Sequence, residues 1–345
     1  MSDSSSVIKA YKPLPLFNTN GLITVVNPKA LNTPEQRMKA AFDFAQERHL
    51  VFLRKASGLP KPWTDDYILQ QYRFCNIYRE IDKVSLWIRD NMIRPFEALG
   101  YEHLWFMLVT SRLFNKAETL GPLIESGVLG GRTFNPERAL AELKTIREAN
   151  GTIFNSAYII NGIPAKNSVA PEASKIATVV YDVLLPMWED RAKLSKVFRT
   201  DFGSSLSALR EYHGMGSFMA NQAVVDMTYC SSLLKGASDI DLHVSPGPGT
   251  QKGAAFLANT MTSPLNPKAV EAQMHAFFEA AKDPYYWPID SDDPETGFSR
   301  LSMPNVSNIF CELSKEAGVL LGQRKRLKNS YGGSDSNSPL QPNLF

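Results

Sequence analysis

The sequence is poor in the features that commit a chain to a membrane, a disulfide framework or a wholly basic surface. Three cysteines in 345 residues, Cys75, Cys230 and Cys311, are odd in number and far apart, with no CxxC pair and no histidine at ligand spacing. They argue against a disulfide scaffold and a structural zinc, and for a reducing compartment. No apolar run reaches membrane-spanning length and no signal-peptide pattern opens the chain, so the expectation is a cytoplasmic protein with no membrane partner. Lys and Arg number 37 against 35 Asp and Glu, a formal charge of +2, which confines any nucleic-acid surface to a local patch. No internal repeat and no GxxxxGK[ST] loop occur. What is plentiful is apolar mass: 43% of residues are hydrophobic, enough for a substantial core.

Apolar residues recur at three- and four-residue spacing along most of the chain, which predicts a mainly α fold. Helices are expected from Pro34 to about Ala56, Thr64 to about Phe96, Leu104 to Phe114, Asn135 to Asn150, Pro171 to Phe198, Ser204 to Tyr212, Gly216 to Leu234, Pro267 to Lys282 and Pro304 to Leu320. Thr33-Pro34, Asn135-Pro136 and Asn266-Pro267 each set a polar N-cap before a proline at the first helical position. Only Thr152–Ile160 and Leu22–Val26 look like strands. Residues 1–33 read as a partly irregular arm, 34–328 as one large helical domain that could form two lobes, and 329–345 as a disordered tail.

Val244-Ser245-Pro246-Gly247-Pro248-Gly249-Thr250-Gln251-Lys252-Gly253 is a tight turn running into a helix start. Such a turn bares backbone N–H groups at the positive end of a helix dipole, where an anion is favoured. It resembles the hairpin of helix-hairpin-helix DNA glycosylases, which implies a glycosylase-like helical architecture with little β structure and a pocket for a flipped base. Gly247, Gly249, Thr250 and Lys252 become candidates for the DNA backbone, as do Arg324 and Arg326 in the basic run Arg324–Lys328. The glycosylase activity itself lacks its parts: Gln251 stands where lyase-type enzymes carry lysine, and no acid lies between Gln251 and Val270.

Between Asp65 and Arg89, helical phasing puts Phe74, Ile77, Tyr78, Ile81, Val84 and Ile88 on one face and Arg73, Asn76, Arg79, Glu80 and Lys83 on the other. The segment Gln71–Asp82, QYRFCNIYREID, resembles the signature of the helical domain named after 5-hydroxymethyluracil DNA kinases. That domain is grouped with α-glutamyl/putrescinyl-thymine pyrophosphorylase-like proteins of phages with hypermodified thymine. Ser111–Lys116, Gly214–Gln222 running to Asp226, the Gly247-Pro248-Gly249 turn and Ile309–Lys315 resemble further blocks in the same order. The first 60 residues carry none.

The resemblance implies a substrate, thymine in double-stranded DNA activated on its 5-methyl carbon, and an amino acid or other amine as co-substrate. Replacing a phosphate ester by an amine needs charge stabilisation on the leaving group, a base for the ammonium and a pocket for the extruded base. Arg73, Arg79 and Arg112 are candidate phosphate clamps. Glu312, Asp226, Glu80 and Asp82 are candidate bases, with Glu312 and Asp226 favoured as lone acids in apolar stretches. Asn76, Asn115 and Gln222 are placed to read a base edge, and Phe218 and Tyr158 to stack on it. The motifs commit the chain to no cofactor and leave Mg²⁺ open. An amino acid:DNA transferase is thus the leading expectation, with a non-catalytic modified-DNA-binding module as the alternative and a glycosylase behind both.

Overall fold

A computed structural model describes residues 31, 33–155, 160, 162–260 and 265–322, and among them the chain is mainly helical, with no strand. In chain order the helices are α1 (Pro34–Ala56), α2 (Tyr67–Gln71), α3 (Lys83–Ile88), α4 (Arg94–Ala98), α5 (Leu104–Phe114), α6 (Ala117–Glu125), α7 (Pro136–Asn150), α8 (Lys175–Ala177), α9 (Leu185–Glu189), α10 (Arg191–Val197), α11 (Phe202–Arg210), α12 (Ser217–Met227), α13 (Pro248–Leu257), α14 (Pro267–Ala280) and α15 (Met303–Leu320). All three cap-proline starts form as expected. The Thr33, Asn135 and Asn266 side chains accept from the N–H groups of Gln36, Arg138 and Ala269, each ahead of a proline in the first turn. Chain contacts divide the fold into two compact units, one holding residues up to Ile81 and from Pro246 onward, the other Asp82–Ser245.

In the first unit α1, α13, α14 and α15 pack together. Phe42 of α1 stacks on Phe277 of α14 at 3.9 Å between centroids, and Phe310 of α15 meets Phe277 edge-on at 5.3 Å. Beside them lies a buried polar knot in which His49 Nδ1 is left without a partner. The Tyr78 hydroxyl donates to the Ser299 carbonyl at 2.6 Å, Trp287 Nε1 to the same oxygen at 2.9 Å, and His49 Nε2 lies 2.7 Å from the Gly297 carbonyl. The second unit is built around α5, every residue of which is buried, as an apolar sequence on all sides demands. Helix α12 lies along it, α11 packs on α12, and π-helical turns at Arg89–Ile93 and Thr178–Leu184 carry α3 into α4 and α8 into α9.

The structure corrects four expectations. The helix predicted over 64–96 ends at Gln71; Tyr72 is extended, a 3-10 turn follows at Arg79–Ile81, and helix resumes only at Lys83. The two faces assigned to Phe74 and Arg73 are therefore not faces of one helix. Thr152–Asn155 and Ile160, the described parts of one predicted strand, are irregular, and residues 156–159 and the strand at 22–26 lie outside the described residues. So do most of the N-terminal arm, the tail from residue 329 and the run Arg324–Lys328. Helix α12 stops at Met227, and residues 228–246 hold turns but no helix, so the Gly-Pro-Gly turn opens one helix instead of joining two. Finally, α6 had no counterpart among the predicted helices.

Candidate functional site

Helix α15 carries a line of polar residues, Asn305, Asn308, Glu312 and Glu316, at three- and four-residue spacing. That spacing puts them on one side of the helix. The side faces protein: Asn305, Glu312 and Glu316 are buried and Asn308 is half-buried. Their partners are residues 66–80. Asn308 Nδ2 donates to the Asn76 carbonyl at 2.5 Å, and Glu312 Oε2 accepts the Cys75 N–H at 2.9 Å. From α1, Arg48 donates to the Phe74 carbonyl at 2.9 Å and to Asn76 Oδ1 at 2.6 Å, while Asn76 Nδ2 donates to the Ile81 carbonyl at 2.8 Å. Side chains thus take up backbone groups that a helix would have bonded internally, which is why the segment after Tyr72 stays open despite its helical apolar spacing.

Four acids give this face its chemical character. Glu80, in the 3-10 turn, has its carboxyl pushed up by burial, against the opposing hydrogen bonds of its own N–H and of Asn305 Nδ2 at 3.2 Å. Glu80 keeps a small part of its surface open to solvent, while its carboxyl is largely buried. Glu316 is 1% exposed, and no donor reaches either of its oxygens. Burial and the neighbouring Asp66 hold its carboxyl well above the usual range. Asp66 is itself raised by burial, but it caps α2 by accepting the Ile68 and Leu69 N–H groups at 2.8 Å each, which favours its charged form. Of the pair, Glu316 is the one held further toward its protonated form. Glu312 is engaged at both oxygens, since Lys315 Nζ meets Oε1 at 2.5 Å.

The second unit holds a separate buried network. Arg112 of α5 binds Asp226 of α12 with two bonds, Nε to Oδ2 at 2.5 Å and Nη2 to Oδ1 at 2.6 Å, and both side chains are almost wholly buried. Arg112 also donates to Asn115 Oδ1 at 3.0 Å and to Ser85 Oγ at 2.9 Å. Asn115 closes α5 in the left-handed region, φ 49°, and its carbonyl accepts from Asn155 Nδ2 at 2.9 Å. A residue picked as a phosphate clamp and a residue picked as a base are here each other's partner. Gln222 is buried on α12, and Phe218 packs against the apolar core of this unit.

The remaining predicted residues scatter. Arg73 is exposed, Arg79 is buried in the 3-10 turn, and Asp82 is the N-cap residue of α3 in the second unit. The glycines of the turn have a packing role. A Cβ on Gly249 would lie 2.5 Å from Cys311 Sγ, and one on Gly253 would lie 2.2 Å from the Phe310 carbonyl oxygen. Their four-residue spacing forms a seam that lets α13 close on α15. Gly247 is the N-cap of α13, the Thr250 hydroxyl donates to the Ser307 carbonyl at 3.1 Å, and Lys252 is exposed. Tyr158, Arg324 and Arg326 lie outside the described residues. The residues not foreseen are Arg48, Asp66, Asn305, Asn308 and Glu316. The three on α15 share the helical phase of Glu312, a signal present in the sequence; Arg48 and Asp66 have none.

Among the described residues no three His, Cys, Asp or Glu side chains gather as metal ligands, and no helix is long and apolar enough to cross a membrane. The protein called 5-hmdU DNA kinase of Bacillus phage SP10 is 24% identical over 260 residues, which cover 67% of this chain and 40% of that relative. No solved structure matches. Residues 35–323 match the family described as 5-hmdU DNA kinase, helical domain. With the match running from α1 to just past α15, through both units, the chain belongs to that family.

Proposed function

We propose that this chain is a DNA base-modifying transferase that attaches an amino acid or other amine to a (pyro)phosphorylated 5-hydroxymethyluracil within double-stranded DNA. The observation that carries the reading is the buried acidic face between α15 and residues 66–80, where burial raises the carboxyls of Glu80 and Asp66 and holds that of Glu316 well above the usual range. Sites that move protons are built by driving neighbouring carboxyls apart in this way. The family, and the name of the phage relative, direct the reading to 5-hydroxymethyluracil in phage DNA.

In the proposed step the amine nitrogen attacks the 5-methylene carbon and the carbon–oxygen bond breaks. The phosphate or pyrophosphate leaves with the electron pair. Glu80 takes the proton from the attacking ammonium, because its carboxyl is raised and the residue keeps some access to solvent; Glu312, with both oxygens engaged, holds the Cys75 segment in place. Arg79 and Arg73 are the guanidinium groups beside Glu80 in sequence and serve the leaving phosphate. A glycosylase-like architecture belongs to the same proposal and is checked by a DNA complex, in which the α13 N-terminus should lie on the phosphate backbone.

A second reading, phosphoryl transfer to the hydroxymethyl group, is favoured by the name of the relative alone. The chain spans 40% of that protein and contains no GxxxxGK[ST] loop. Three DNAs separate the readings: one with 5-hydroxymethyluracil, one with its phosphate and one with its pyrophosphate. Each is incubated with an amino acid mixture, with and without ATP and Mg²⁺, and the nucleosides are analysed by mass spectrometry. An aminoacylated nucleoside from an activated DNA supports the transferase; phosphorylated nucleoside from 5-hydroxymethyluracil and ATP replaces it by the kinase; binding without product leaves a modified-DNA-binding module.

A further inference from the structure

Two of the three cysteines stand beside one carboxylate, Glu312, which also binds the Lys315 ammonium. Cys311 and Lys315 stand about one turn apart on α15, and Glu312 between them accepts both the Cys75 N–H and the Lys315 ammonium. Cys75 enters from the open segment and Cys311 from the helix. Burial alone would lower the Lys315 ammonium; the charge of Glu312, then Cys75, the Glu312 hydrogen bond and Cys311 outweigh it and hold the lysine charged. The Cys311 sulfur also rests on the first turn of α13, since a Cβ on Gly249 would fall 2.5 Å from it. Gly249 is the second residue of that ten-residue helix, whose leading N–H groups find no partner within the helix and whose dipole is positive there.

A helix N-terminus and a nearby ammonium are the surroundings that favour thiolate over thiol. Glu312 opposes them, but its charge is already met by Lys315 and the Cys75 N–H. Cys75 is exposed and Cys311 partly so, whereas Cys230 is buried and its thiol pushed up by that burial. Small reagents therefore reach two thiols and not the third.

We propose that Cys311 and Cys75 form a peroxide-sensitive thiol pair, in which Cys311 is oxidised first and Cys75 resolves it to a disulfide. The Cys311 thiolate attacks one oxygen of hydrogen peroxide, the O–O bond breaks and hydroxide leaves, giving a sulfenic acid. The Cys75 thiol then attacks the sulfenic sulfur, the S–O bond breaks, and the departing hydroxide takes the thiol proton as water. The two sulfurs lose two electrons in all. Peroxide is reduced to water, the first hydroxide taking up the proton that Cys311 had released. The disulfide would tie the open segment to α15 across the acidic face described above.

The test treats the full chain with hydrogen peroxide and maps thiols by mass spectrometry under non-reducing conditions. The expected product is a Cys75–Cys311 link with Cys230 still free. Cys75→Ser should instead accumulate a Cys311 sulfenic acid that dimedone traps. Lys315→Met should slow Cys311 oxidation about tenfold, the effect of one unit in the thiol's acidity, while Lys315→Arg keeps the rate. A link through Cys230, no link at all, or a Lys315→Met variant that reacts as fast as Lys315→Arg would overturn the proposal.

Discussion

Asp226→Asn decides whether the Arg112–Asp226 pair holds the second unit together or works on a substrate. The substitution keeps the shape of the side chain and removes its charge, which leaves the Arg112 guanidinium, 2% exposed, without a counter-ion. Removing one partner of a buried pair costs about 3–5 kcal/mol, a large share of the roughly 5–15 kcal/mol that holds an ordinary domain folded. For a unit running from Asp82 to Ser245 a kcal/mol shifts melting by about 2–4 °C, so the expected fall is about 6–20 °C. Replacing both partners, Arg112→Met with Asp226→Leu, removes the unpaired charge along with the pair and should recover most of that loss. The assay is thermal melting followed by circular dichroism and by calorimetry, with the calorimetric trace resolving whether the two units melt apart. If Asp226→Asn melts within about 2 °C of wild type, well under the shift for a single kcal/mol multiplied by this loss, the structural account of the pair fails and Asp226 returns as a base.

Three further outcomes follow from the packing and the acids. Gly253→Ala forces a methyl group against the Phe310 backbone, which cannot rotate away, and should lower stability toward the upper end of about 1–3 kcal/mol by denaturant titration; Gly249→Ala meets a thiol that can turn aside and should cost less. The raised Glu316 carboxyl stays protonated in the folded chain where the unfolded chain has ionised, so stability should fall as pH rises above the ordinary glutamate value of about 4.3. Glu316→Gln should flatten that decline and melt higher than wild type near neutral pH, and parallel pH profiles for the two would refute the assignment. Glu312→Ala leaves the Cys75 N–H without its acceptor, at about 1–3 kcal/mol, and should speed hydrogen exchange at that amide by roughly 5- to 160-fold.

Helix starts with a polar cap and a proline were legible because cap, proline and first turn are neighbours in sequence. The region after Gln71 was not. Phe74, Ile77, Tyr78 and Ile81 have helical spacing and are indeed buried, yet the backbone between them is bonded by Arg48, Asn308 and Glu312 from distant parts of the chain. Local periodicity carries no trace of such partners. Helix α6 was hidden by Gly121 and Pro122, which weaken its helical signature. The Gly-Pro-Gly turn shows the opposite hazard, since the same glycines suit an anion and a close helix contact, and here Gly249 and Gly253 face α15. At the site, Glu312 stood out as a lone acid on an apolar helix. Arg112 and Asp226 stood out singly, but 114 residues apart, nothing local could announce that they bind each other.

The acidic face of α15 as the seat of chemistry is tested most directly at Glu80. Glu80→Gln preserves the hydrogen bond from Asn305 and cannot accept a proton. The measurement is single-turnover transfer of an amino acid to DNA carrying pyrophosphorylated 5-hydroxymethyluracil, across pH, beside binding of the same DNA. The account predicts unchanged binding, a rate lowered at least about a hundredfold at neutral pH and loss of the rise in wild-type rate that accompanies Glu80 ionisation. A Glu80→Gln enzyme with a near-normal rate and pH profile would contradict it.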